Sequence, residues 1–78
     1  MQVTIYSKEN CPYCEKIKQV FGLLEVQFVE YKLDTDFTRE NFIQEFGEGS
    51  TFPRVVIGDK LIGGASDTIE YLKENNLL

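Results

Sequence analysis

Cys11 and Cys14 are the only thiols in a chain of 78 residues that contains no histidine. Four uses of a C-P-Y-C spacing can be weighed. A structural disulfide between them closes so short a ring that chain entropy yields only about 2 kcal/mol, less than a longer loop gives. A closed zinc site wants four protein ligands, and one Cys pair without His cannot supply them within one chain, leaving only metal shared between chains. Two unrelated buried cysteines would need no link between spacing and local structure. The fourth use is redox chemistry: a thiolate attacks a disulfide sulfur, a mixed disulfide forms, and the second thiol releases it. Placement at a strand-to-helix junction makes this the strongest reading.

Only ionised sulfur attacks, and a free thiol near pKa ~8.5 is mostly protonated at neutral pH. Cys11 falls where a helix begins, so unpaired N–H groups and the positive end of the dipole favour its anion, while Pro12 pre-sets the first turn. Cys14 sits one turn farther in. Position therefore assigns Cys11 as the exposed nucleophile and Cys14 as the resolving thiol. Lys8 adds positive charge nearby, and Glu9 and Glu15 oppose it.

The absence of histidine removes the commonest general base, the usual Ser or Cys triads and imidazole zinc sites. With 8 basic and 13 acidic residues the net charge is −5, which repels phosphate backbones and anionic membranes. Neither nucleic acid nor a membrane is an expected partner. The length suits one compact domain, 1–78, and 42% hydrophobic residues, including six Phe and four Tyr, suffice for a small core. No apolar run approaches the ~18 to 20 residues that span a bilayer, and Met1–Ile5 lacks a charged leader, so a soluble, cytoplasmic protein is expected.

The elements that must position the cysteines follow from periodicity. Gln2–Tyr6 alternates as a strand, and Ile17, Val20, Phe21 and Leu24 give the helix after Pro12 one apolar stripe. Gln27–Leu33 returns to period two. A second helix, capped by Thr35 or Asp36, reaches Phe46 with Phe42, Ile43 and Phe46 as its inward face, before Gly47 closes it. After a loop over 47–52, Arg54–Ile57 and Lys60–Ile62 flank a Gly58-Asp59 hairpin turn. Gly63-Gly64 leave the hairpin, and Asp67 with Glu70 three residues on reads as the capping arrangement of a last helix carrying Ile69 and Leu72. The order is βαβαββα.

Three blocks, Lys8-Glu9-Asn10-Cys11-Pro12-Tyr13-Cys14, Thr51-Phe52-Pro53-Arg54-Val55 and Gly63-Gly64-Ala65-Ser66-Asp67, resemble the dithiol glutaredoxins across essentially the whole chain. The resemblance implies a thioredoxin-like α/β fold, with a four-stranded mixed sheet and helices on both faces. It also implies a thiol-disulfide oxidoreductase that reduces protein disulfides and glutathione mixed disulfides. Glutathione would be the co-substrate, with no tightly bound cofactor and no metal, and a monomer is expected. Disulfide-containing or glutathionylated proteins would be the partners, ribonucleotide reductase being the client the family suggests.

Carried over by position, Lys8 resembles the lysine that pairs with the glycyl carboxylate of glutathione; its plainer reading is a solvated lysine. Tyr13 resembles the groove-lining tyrosine, against a reading as packing. Thr51-Phe52-Pro53 resembles the T-V-P segment, whose middle residue pairs its backbone with the cysteinyl part and whose proline is cis. Gly64, Ser66 and Asp67 resemble the clamp for the γ-glutamyl end, with N–H groups at a helix start taking a carboxylate and Asp67 the amine, alongside simple capping by Asp67. Phe52 departs from the usual Val, Ala65 stands where many relatives carry a further cysteine, and Ser50 stands where Arg is frequent. Glu40 occupies a position that is often Gln or Arg, which makes adjacent Arg39 the candidate substitute. Two rivals remain: a redoxin fed by thioredoxin reductase, disfavoured by the clamp and the absence of Trp, and an iron–sulfur carrier bridging two chains, disfavoured by Pro12.

Overall fold

Alternation places Val3, Ile5 and Ser7 of strand β1 (Val3–Ser7) on one face of the sheet and Thr4 and Tyr6 on the other. The computed structural model, which describes residues 1–78, continues with helix α1 (Pro12–Leu23), strand β2 (Phe28–Lys32), helix α2 (Arg39–Phe46), strands β3 (Arg54–Ile57) and β4 (Lys60–Gly63), and helix α3 (Ala65–Glu74). The sheet order is β2-β1-β3-β4: β1 runs parallel to β2 and antiparallel to β3, and β3 and β4 are antiparallel. The expected βαβαββα order and mixed sheet are observed.

The first face carries the main core. Ile17 and Phe21 of α1 and Leu72 of α3 pack on Val3, Ile5 and Val55, all at most 1% exposed. Burying each such side chain stabilises the fold by about 1.5–3 kcal/mol. The second face is aromatic: Tyr6 meets Phe46 of α2 with ring centroids 5.0 Å apart and Phe37 at 5.5 Å, both edge-on. Helices thus cover both faces. The hairpin turns at Gly58, whose φ of +64° suits glycine.

Two helix starts differ from expectation. Helix α2 begins at Arg39, capped by Thr38, not by Thr35 or Asp36. Thr38 Oγ1 accepts the Asn41 N–H at 3.1 Å and Asn41 Oδ1 accepts the Thr38 N–H at 3.3 Å. Asp36 is engaged elsewhere, its carboxylate accepting the Lys32 N–H at 2.8 Å where β2 ends. Helix α3 begins earlier than Asp67: Gly64 is the N-cap, and Asp67, in the first turn, accepts the Gly64 N–H at 3.3 Å. Glu70 is mid-helix and has no part in the cap.

A polar link ties α1 to β2. Glu30 accepts the Ser7 hydroxyl at 2.6 Å and the Lys18 ammonium at 3.0 Å, and Lys18 also pairs with Glu15 at 2.8 Å. Burial alone would raise the Glu30 carboxyl, but the Ser7 hydroxyl and the Lys18 and Lys32 charges outweigh it and hold it below its ordinary 4.5. Lys18 is raised above 10.5, chiefly by its hydrogen bond with Glu15, against burial and with help from Glu30. A lowered carboxyl contributes stability that is present above its unfolded value and lost as pH falls through its folded one. A raised ammonium loses its share only as pH climbs through its folded value. Glu30→Gln is therefore expected to flatten the acid limb of stability against pH below about 4.5, and equal acid slopes in urea melts of variant and parent would contradict this.

Candidate active site

Cys11 is the N-cap of α1, with extended backbone at φ −119° and ψ 97°, and its Sγ accepts the Cys14 N–H at 3.2 Å. The two cysteines are joined as a disulfide, with Cα atoms 5.2 Å apart. Cys11 is 7% exposed and Cys14 fully buried. The expected ranking of access holds, but Cys11 is more covered than an exposed nucleophile would be, because the cap geometry turns its sulfur back over the first turn toward the Cys14 amide.

Across the sheet's end, three segments distant in sequence meet in a groove of about 250 Å³. Tyr13 walls it from α1, Thr51, Phe52 and Pro53 from the segment entering β3, and Gly64, Ser66 and Asp67 from the start of α3. Tyr13 is 64% exposed, so it is not a packing residue. The Phe52–Pro53 bond is cis. At the start of α3, the N–H groups of Ala65, Ser66 and Asp67 belong to the first turn, where no intrahelical acceptor exists. They and the dipole make this end of the groove receptive to an anion. Asp67 caps the helix through one oxygen, Oδ2, so the capping and clamp readings are compatible.

Lys8 lies beside a second hollow, shared with Cys11 and Pro12, and its ammonium stands 5.7 Å from the centre of the Phe52 ring. The carboxylates that could offset its charge are occupied: Glu9 pairs with Lys32 at 3.3 Å and Glu15 with Lys18 at 2.8 Å. Lys8 has no ion-pair partner and is the unneutralised cation beside Cys11. Arg39, in contrast, is the first residue of α2 and lines neither the groove nor this hollow. Arg54 was not singled out from sequence, yet it lines the groove, and its Nε is buried without a hydrogen-bond partner. Its place directly after Pro53 in the second motif block was the available signal.

The glutaredoxin family model matches residues 3–62. A glutaredoxin of Vernicia fordii is 35% identical, the match covering 97% of this chain and 76% of that one. Among solved structures, glutaredoxin 1 of Francisella tularensis superposes with a TM-score of 0.80 at 30% identity, over 97% of this chain and 95% of the other. A buckwheat glutaredoxin in complex with glutathione gives a TM-score of 0.80 at 29% identity, over 96% and 71% of the two chains. The redox-capable cysteine pair at a helix N-terminus, the mixed sheet that holds it and these likenesses agree: the chain belongs to the glutaredoxin family of thiol-disulfide oxidoreductases.

Proposed function

We propose that the groove beside Cys11 takes glutathione, as co-substrate and as the mixed-disulfide half of glutathionylated clients. The observation that carries the reading is the convergence of Tyr13, Thr51–Pro53 and the open N-terminus of α3 around one groove at the mouth of α1. A tripeptide with a carboxylate at each end and an extended middle fits such a surface. The first-turn amides of α3 take the γ-glutamyl carboxylate, Asp67 the adjacent amine, the backbone of Phe52 the cysteinyl unit and Lys8 the glycyl carboxylate. Arg39, outside the groove, is left without a part in this arrangement.

In the reaction, the Cys11 thiolate attacks one sulfur of a disulfide; a new S–S bond forms to Cys11, and the departing thiolate takes a proton from solvent. For a protein client, Cys14 then attacks Cys11, releasing the client as a thiol and leaving the Cys11–Cys14 disulfide. Two glutathione molecules return that disulfide to the dithiol and leave as glutathione disulfide. For a glutathionylated client, Cys11 carries the glutathionyl group and a second glutathione removes it.

The test is the electron source. The oxidised protein is expected to turn over with glutathione, glutathione reductase and NADPH, and to remain idle with thioredoxin reductase and NADPH. The opposite pattern would overturn the assignment of the groove.

A further inference from the structure

On the α2 side of the sheet, separate from the glutathione groove, lies a cavity of about 330 Å³. That is near the lower end of the ~300–1,000 Å³ of small-molecule pockets, the scale of a single side chain or small ligand. Its apolar walls are the rings of Tyr6, Tyr31, Phe37, Phe42 and Phe46. Tyr6 stands at their centre, 5.6 Å from Tyr31 as well as against Phe37 and Phe46, and Phe42 meets Phe46 at 5.0 Å. The polar rim is Asp36, Asn41 and Glu45, and no basic residue lines the cavity. Asp36 accepts one backbone N–H, whereas Glu45 has neither a hydrogen bond nor an ion pair. Burial, then the Glu45 charge, then Tyr31, raise the Tyr6 phenol above 10.0, so it remains neutral while sensing the Glu45 carboxylate.

Aromatic rings beside two carboxylates that have no cation of their own, one of them Glu45 without any partner, complement a guanidinium or ammonium group. Position supplies the source. Phe42 stacks on Phe52 with centroids 4.3 Å apart, and Phe52 forms a wall of the glutathione groove. Two stacked rings, Phe42 and Phe52, thus join the wall of the cavity to the wall of the proposed glutathione groove. We infer that this aromatic cavity receives an arginine or lysine side chain of the client polypeptide, so that disulfide clients with a basic residue near the reactive cysteine are preferred. This rests on the proposed reaction at Cys11.

The test uses glutathionylated cysteine peptides with arginine scanned along the flanking positions, each compared with its citrulline counterpart, and glutathionylated 2-mercaptoethanol as a substrate without a chain. At least one arginine peptide is expected to exceed its counterpart about fivefold in kcat/KM, the scale of one exposed cation–π contact. Glu45→Gln is expected to reduce that preference and leave the small substrate unaffected. Glu74→Gln, which removes the same charge at the far end of α3, is expected to leave the preference intact. No arginine preference, or equal losses in the two variants, would overturn the cavity's role while the small substrate still turned over. A protein inert toward the small substrate would instead overturn the reaction at Cys11, and this proposal with it.

Discussion

Cys11→Ser is expected to abolish turnover of protein disulfides and of glutathione mixed disulfides alike, whereas Cys14→Ser is expected to lose the first and keep the second. The asymmetry follows from placement. Cys11 is the helix N-cap and the only one of the pair with any exposure, so an incoming disulfide can meet its sulfur and not that of Cys14. The Cys14 N–H already points at that sulfur from 3.2 Å. A hydrogen bond to an ionised acceptor is roughly twice as strong as one between neutral groups, and the helix dipole acts in the same sense. Both favour the form that attacks. A serine hydroxyl keeps the cap but is neither ionised at neutral pH nor able to form a disulfide, so a loss of at least about 10³-fold is expected.

In the proposed reaction Cys14 acts only after the mixed disulfide has formed, and a glutathionyl group on Cys11 has a second exit through free glutathione. Cys14→Ser should therefore accumulate the Cys11-glutathionyl adduct, visible as a mass increase, while still deglutathionylating a small substrate in the coupled assay. Activity in Cys11→Ser within tenfold of the parent protein would reverse the roles.

How much of this was legible in the sequence depends on whether a local signal had competitors. The start of α1 did not: Pro12 and the stripe Ile17, Val20, Phe21 and Leu24 fix both its beginning and its buried face, so the cysteines could be placed on it. The start of α2 had several. Thr35, Asp36 and Thr38 are all able caps, and the choice was settled by the Lys32 amide at the end of β2, which claims the Asp36 carboxylate. That contact depends on where the preceding strand stops, which periodicity locates only to within a residue or two. At α3 the cap residue is a glycine, which has no side chain to announce it, and the aspartate that does announce the helix lies three positions on.

The groove shows the same division. Motif blocks brought Tyr13, Thr51–Pro53 and Gly64–Asp67 forward separately, and folding places them on one surface. Arg39 was suggested by its neighbour's position in the family pattern; it begins α2 and is not among the residues that line the groove, a placement that residue order alone does not give. The aromatic layer was least legible. Tyr6 reads as an ordinary strand residue, and its role as the hub of a second cluster emerges only when α2 lies across the sheet.

The second large effect is expected from a residue that makes no side-chain contact at all. Gly63 pairs with Val55 at the end of β4 and has φ +125°, a conformation that residues with a Cβ rarely adopt. A methyl group there would stand 2.5 Å from Asp67 Oδ2 and 3.1 Å from Asp67 Cβ. The carboxylate can swing aside, but only by leaving the Gly64 N–H it now caps, and the Cβ is fixed by the helix. Gly63→Ala thus combines backbone strain of about 1–3 kcal/mol with loss of the cap, and each 1 kcal/mol lowers the melting temperature by about 4–8 °C in a domain of this size. It also moves the carboxylate assigned to the glutathione amine, so KM for glutathione should rise about tenfold, the scale of one charge-assisted hydrogen bond. Gly64→Ala is the control for stability: φ is −86° and its Cβ would meet the Pro53 carbonyl at 3.7 Å, an ordinary contact. If the two alanines melted at the same temperature, the close approach of β4 to Asp67 would not be what requires glycine at position 63; if Gly63→Ala lost stability but bound glutathione as the parent does, Asp67 would be a cap and nothing more.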